Sequence, residues 1–175
     1  MQIGDTYEYK NVVTKEITAG ALGSGGLDIF ATPFLICWME AAAYYYMKEQ
    51  LPEGKSSVGT MVNVRHVSPS PIGAEITAKA ELIAISENGK MYTFKVEAYD
   101  NKGLIGEGTH ERAIIDCERF MKKCLAKLED LTSKEEAHAL LRSRLPSAER
   151  GVQPDRAVHA RVQPQQMCVL QYVQG

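Results

Sequence analysis

Three side chains have the types and surroundings in which chemistry is to be sought: the hydroxyl of Thr32, the carboxylate of Glu40 and the imidazole of His66. Glu40 is the only charged residue between Phe34 and Met47, in the run FLICWMEAAAYYYM. An unpaired buried carboxylate costs on the order of several kcal/mol, so such a group is paired, protonated or used. A hydroxyl at a helix N-terminus lies where unsatisfied N–H groups favour a developing oxyanion, and a buried carboxylate can act as a base of raised pKa or orient the histidine. Each residue also has a purely structural reading. Thr32 suits a helix N-cap, Glu40 a buried acid held by an arginine or backbone donors, and His66 a satisfied core histidine.

The elements that must position these groups are legible in the pattern. Thr32 as N-cap and Pro33 at the first helical position start a helix that runs to about Gln50, where Pro52 and Gly54 end it. Apolar on nearly every face, this helix should be wrapped by other elements. Thr32 and Glu40 lie eight residues apart, roughly 12 Å along its axis, so they do not touch within one helix. After Gly59 the period changes to two, which puts Val62, Val64 and His66 on one face of a strand. Pro69 and Pro71 break it, and three longer strands follow at Ala74–Ser86, Lys90–Asp100 and Leu104–Asp116. Asn88-Gly89 is a two-residue hairpin signal, so these strands form an antiparallel meander. The segment Thr6–Thr18 leans towards β structure, and four glycines inside Gly20–Leu27 make a flexible loop or lid. Residues from Cys117 to Leu131 have helical spacing.

The pattern describes an α+β domain over residues 1–131, in which an antiparallel sheet wraps one long helix. A dimer that extends the sheet would cover more of both, so a homodimer is expected. Residues 132–175 show little periodicity and read as an appended C-terminal tail of uncertain structure.

Composition excludes several classes. Lys plus Arg number 20 and Asp plus Glu 22, a net charge of -2 that gives no general attraction to nucleic acid. The 14-residue apolar run holds an acid at its centre and is too short for a membrane span. The first ten residues lack the basic and then apolar run of a secretory signal. The four cysteines, Cys37, Cys117, Cys124 and Cys168, have no metal-type spacing and suit free thiols in a reducing cytoplasm. The glycine-rich loop lacks a phosphate-binding pattern.

Three segments, IFATPFLICWMEAA (Ile29–Ala42), SVGTMVNVRHVSPSPIG (Ser57–Gly73) and GEGTHERAII (Gly106–Ile115), resemble the fluoroacetyl-CoA thioesterase-like branch of the hotdog superfamily. The resemblance covers about residues 1–130, and GTHERAII is its most specific match. It implies a hotdog fold, paired as a dimer with the acyl-CoA site at the interface. It further implies Thr32, Glu40 and His66 as the catalytic set for thioester hydrolysis, with Gly59 and Arg112 contacting the substrate. Coenzyme A is then part of the substrate, and neither a metal nor an organic cofactor is needed. The sequence departs from the branch in the lid segment before the helix, which here has four glycines and no aromatic residue. Selectivity for fluoroacetyl-CoA is therefore not expected, although thioester chemistry is. Two other functions compete: hydration or dehydration of an acyl thioester, and a non-catalytic module that binds acyl-CoA as a sensor or carrier.

Overall fold

A computed structural model of the protein describes residues 1–128 together with Glu135. The expected tail, 132–175, lies outside the described residues apart from Glu135. The chain divides into two units, Met1–Cys117 and Glu118–Gly175. The first contains strands β1 (Thr6–Val12), β2 (Lys55–His66), β3 (Glu75–Ile85), β4 (Met91–Asp100) and β5 (Gly103–Asp116). It also holds a short helix, α1 (Ala19–Leu22), and the long helix α2 (Thr32–Lys48). Beyond β5, residues 117–128 are helical, as their spacing predicts.

The five strands form one antiparallel sheet in the order β1-β3-β4-β5-β2. The expected meander is its centre, with each strand within one residue of the bounds read from sequence. The β3–β4 hairpin turns at Asn88 and Gly89, whose φ of 65° only glycine adopts at little cost. At the next turn, the Asp100 carboxylate accepts hydrogen bonds from the Lys102 and Gly103 amides. β1 and β2 are the edges. β2 begins at Lys55, earlier than expected, and contains a bulge between Gly59 and Met61. Period-two reading misses such a start because the extra residue of a bulge breaks the alternation.

The inner face of the sheet is built from Ile76, Ala78, Ala80 and Leu82 of β3 and from Phe94, Val96 and Ala98 of β4, all buried. Against it α2 buries Leu35, Trp38, Met39, Ala42, Ala43 and Met47. Fully burying a residue such as Leu35 contributes about 1.5–3 kcal/mol. The approach is close at Gly106 of β5, where a Cβ would stand 2.7 Å from Leu35 Cδ2. The expectation that α2 is wrapped on every side is only half met within this chain. A five-stranded sheet covers one side of the helix, and the side carrying Ile36, Cys37, Glu40 and Tyr44 is left half-buried.

Thr32 is not the N-cap. That position belongs to Ala31, which is extended, and Thr32 is the first helical residue with Pro33 following. Its hydroxyl is engaged elsewhere. No described helix is long and apolar enough to cross a membrane. Cys117 and Cys124 carry free thiols, but Cys37 is disulfide-bonded, so the expectation of free thiols throughout fails there.

Candidate active site

The start of α2 and the end of β2 meet because the segment between them and the sheet is tied down on both sides. Thr18 bridges Phe30, and Ile29 bridges Pro71. The Phe30 amide donates to Ser70 O, and the Ala31 amide to Ile17 O. His66 closes β2 opposite Gly106, and the next residue, Val67, donates to Ile105 O. Held in this way, Thr32 Oγ1 lies 2.9 Å from His66 Nδ1. The buried Phe30 ring and the imidazole pack edge to face, with centroids 6.4 Å apart. His66 Nε2 is buried and has no well-formed hydrogen bond among the described residues. Burial holds the His66 pKa below its ordinary 6.5, against a smaller opposing effect of the Ser68 backbone. The imidazole is therefore neutral at neutral pH, the state a proton acceptor requires.

A second cluster lies further along the helix, around Glu40. Arg112 of β5 is buried, and its guanidinium is spent on the protein: Nε donates to Ser57 Oγ at 2.9 Å and Nη2 to Ser57 O at 2.9 Å. Its Nη1 lies 3.1 Å from His110 Nε2, and its plane stands over the Tyr44 ring. His110 Nδ1 lies 2.9 Å from Met61 O. An arginine can only donate and a carbonyl can only accept, so His110 is the neutral Nδ1–H tautomer with Nε2 accepting. Burial brings its pKa down to about 4. Glu40 Oε1 lies 3.6 Å from the same Nε2, a contact with a neutral ring and not an ion pair at neutral pH. Burial raises the Glu40 pKa above its ordinary 4.5, with Arg112 acting in the opposite direction.

Gly59 leaves the space for this cluster. A Cβ there would stand 2.6 Å from Glu40 Oε1 and 3.0 Å from His110 Cε1. Gly59→Ala is expected to push the carboxylate from its place and lower turnover roughly a hundredfold, the scale of an ångström-sized misplacement. Its melting temperature should fall as well, because the Glu40 side chain can swing away but the His110 ring, held by Met61 and Arg112, yields only at a cost. Turnover and melting measured on one preparation test this.

The residues singled out from sequence thus fall into two groups. Thr32 meets His66, while Glu40 meets Gly59 and, through His110, Arg112. Among the described residues no hydrogen bond or ion pair joins Glu40 to His66. The two groups are roughly 12 Å apart along α2, the rise of eight helical residues. Arg112, expected to touch substrate, is 6% exposed. His110 was missed, although it lies two residues before Arg112, on the same face of the strand, in the most specific of the matching segments.

A family model for fluoroacetyl-CoA-specific thioesterases matches residues 13–118. The chain belongs to that family. It is 38% identical over 96 residues to a fluoroacetyl-CoA thioesterase of Streptantibioticus cattleyicolor, covering 55% of this chain and 68% of the relative. A solved fluoroacetyl-CoA thioesterase superposes with a TM-score of 0.68 at 33% identity, over 73% of this chain and 97% of that one. A variant of such an enzyme solved with fluoroacetate and CoA superposes with a TM-score of 0.65 at 33% identity, over 69% and 99% of the two chains. As a member of this thioesterase family the protein is a thioester hydrolase with a hotdog fold. The matched span begins at Val13, just after β1, and takes in both groups of site residues.

Proposed function

We propose that this thioesterase hydrolyses a short acyl-CoA to the free acid and CoA, at a site completed by a second protomer. The observation that carries the reading is the Thr32 hydroxyl, which approaches His66 Nδ1 and leaves the helix uncapped by its side chain. With His66 as the Nε2–H tautomer, Nδ1 accepts the Thr32 proton. The hydroxyl oxygen then attacks the thioester carbonyl, the C–S bond breaks, and CoA leaves as the thiol with that proton. Water releases the acid from the acyl-threonine. In the other route Glu40 and His66 activate water directly and Thr32 positions it. In both, the N-terminal end of α2 favours the developing oxyanion. Neither route needs a metal or an organic cofactor.

A homodimer supplies what one protomer lacks. Edge strand β2 offers twelve residues with one side unpaired, and such an edge is a template for another strand. Glu40 lies on the side of α2 that its own sheet leaves half-buried. Joining two copies there would bring Glu40 of the partner subunit towards Thr32 and His66. A cytoplasmic setting fits acyl-CoA as substrate, and no nucleic acid or membrane partner is invoked.

Release of free thiol from a panel of acyl-CoAs tests the activity. Hydrolysis of at least one short acyl-CoA is expected, and saturable binding without thiol release would favour the sensor or carrier. Selectivity is expected to be modest. Discrimination by small apolar differences is limited to roughly 1–3 kcal/mol, and the loop after α1 puts Gly23, Gly25 and Gly26 where a lid needs fixed bulk. A kcat/KM ratio for fluoroacetyl-CoA over acetyl-CoA above roughly a thousand would overturn that expectation.

A further inference from the structure

Arg112 and Glu40 meet the same atom. His110 Nε2 lies 3.1 Å from Arg112 Nη1 and 3.6 Å from Glu40 Oε1. Nothing in the chemistry of the two outer groups keeps them apart, since an arginine fork pairs readily with a carboxylate. The ring that both approach is fixed on three sides. Met61 O holds Nδ1–H, Arg112 fills the Nε2 lone pair, and Gly59 leaves room for the Cε1 edge. Ser57 holds the rest of the guanidinium through two more bonds.

We propose that His110 is a positioning residue: by accepting one Arg112 Nη1–H it helps Ser57 hold the guanidinium in a place from which it does not ion-pair with Glu40. The proposal rests on Glu40 serving the reaction as a carboxylate that feels Arg112 at a distance but is not clamped by it. An opposite charge within about 4–6 Å lowers a carboxyl pKa by roughly one to three units. A carboxylate clamped in this way would be a poorer base and a poorer orienting partner. His110 can hold Arg112 without itself pairing with Glu40 because it is neutral. A cation at this position would itself pair with Glu40, and burial beside Arg112 disfavours that cation.

Among the described residues, the cluster around Glu40 is built by His110 and Arg112 of β5, by Ser57, Gly59 and Met61 of β2, and by Tyr44 of α2 beneath the guanidinium. β4 places the buried Tyr92 opposite Arg112, and the inward residues of β3 are apolar. Arg112 is the charged group acting on Glu40.

The test is the titration of the Glu40 carboxyl, followed by NMR of protein labelled with carbon-13 at glutamate side chains and assigned by its loss in Glu40→Gln. In His110→Asn the shorter amide keeps the bond to Met61 O and cannot reach Arg112. In His110→Gln the amide spans both partners. The expected result is a Glu40 midpoint lower by about one to three pH units in His110→Asn and near the wild-type value in His110→Gln. Should His110→Asn fail to fold, His110→Phe keeps the ring volume, removes both bonds and should lower the midpoint equally. A Glu40 midpoint unchanged in folded His110→Asn or His110→Phe overturns the proposal. In the thiol-release assay kcat should fall in His110→Asn with KM little changed, and recover in His110→Gln. The titration reads His110 without turnover, so absence of thioesterase activity in the wild type would contradict the proposed function and leave this result standing on its own.

Discussion

Glu40→Gln is expected to lower turnover by about a hundredfold to ten-thousandfold, the range for loss of an acid–base group, with little change in melting temperature. The carboxylate is half-exposed within one protomer, and its contact across 3.6 Å is with a neutral ring. A glutamine of the same shape leaves no charge unpaired and removes no hydrogen bond seen among the described residues. If Glu40 were a structural acid the pattern would reverse, with a loss of stability and near-normal turnover of the folded fraction. Thermal melting and steady-state thiol release on one sample separate the two.

His66→Ala should cost a similar factor, and Thr32→Ala should not add to it. The two side chains form one hydrogen-bonded pair, and residues that act as a unit are non-additive. The double variant is therefore expected to be no slower than the slower single one. The pH profile carries a further signature. His66 must be neutral to accept a proton, so its protonation removes activity as the pH falls. Because burial lowers its pKa, that loss should begin below the ordinary histidine value of 6.5. Glu40 must be ionised, and its raised pKa moves its own limb upward from 4.5, towards that of His66. The acid side of the profile should thus steepen as both groups titrate, and in Glu40→Gln the residual activity should follow His66 alone. A residual activity in His66→Ala equal to the wild type, with unchanged circular dichroism, would remove His66 from the mechanism.

The central sheet was readable because β3, β4 and β5 alternate cleanly between strong turn signals at Asn88-Gly89 and Asp100–Gly103. Helix α2 was readable from its apolar run and from Pro33. Its cap was not, since a threonine before a proline suits an N-cap, and only the tertiary contact with His66 shows where the hydroxyl goes. β2 was read short because its bulge at Gly59–Met61 interrupts the period of two. His110 escaped for a different reason. A histidine on a strand otherwise rich in glycine and charge carries no periodic signal, and its role depends on Ser57, Met61 and Arg112, which the fold brings together from β2 and β5. The separation of Thr32 and His66 from Glu40 could be anticipated from helix geometry, because eight residues of rise set the distance whatever the sheet does.

Mixing two inactive variants tests the shared site most directly. Glu40→Gln protomers retain Thr32 and His66, and His66→Ala protomers retain Glu40, so each mixed dimer would contain one complete site. After dissociation and random reassociation of equal amounts, about half the dimers are mixed, and roughly a quarter of wild-type thiol release from a turned-over acyl-CoA should return. Thr32→Ala mixed with His66→Ala should stay inactive, because both lesions fall in the same half-site. Failure of the first mixture to recover activity, with mixed dimers verified by mass, would contradict a site that joins Thr32 and His66 of one protomer to Glu40 of the partner subunit.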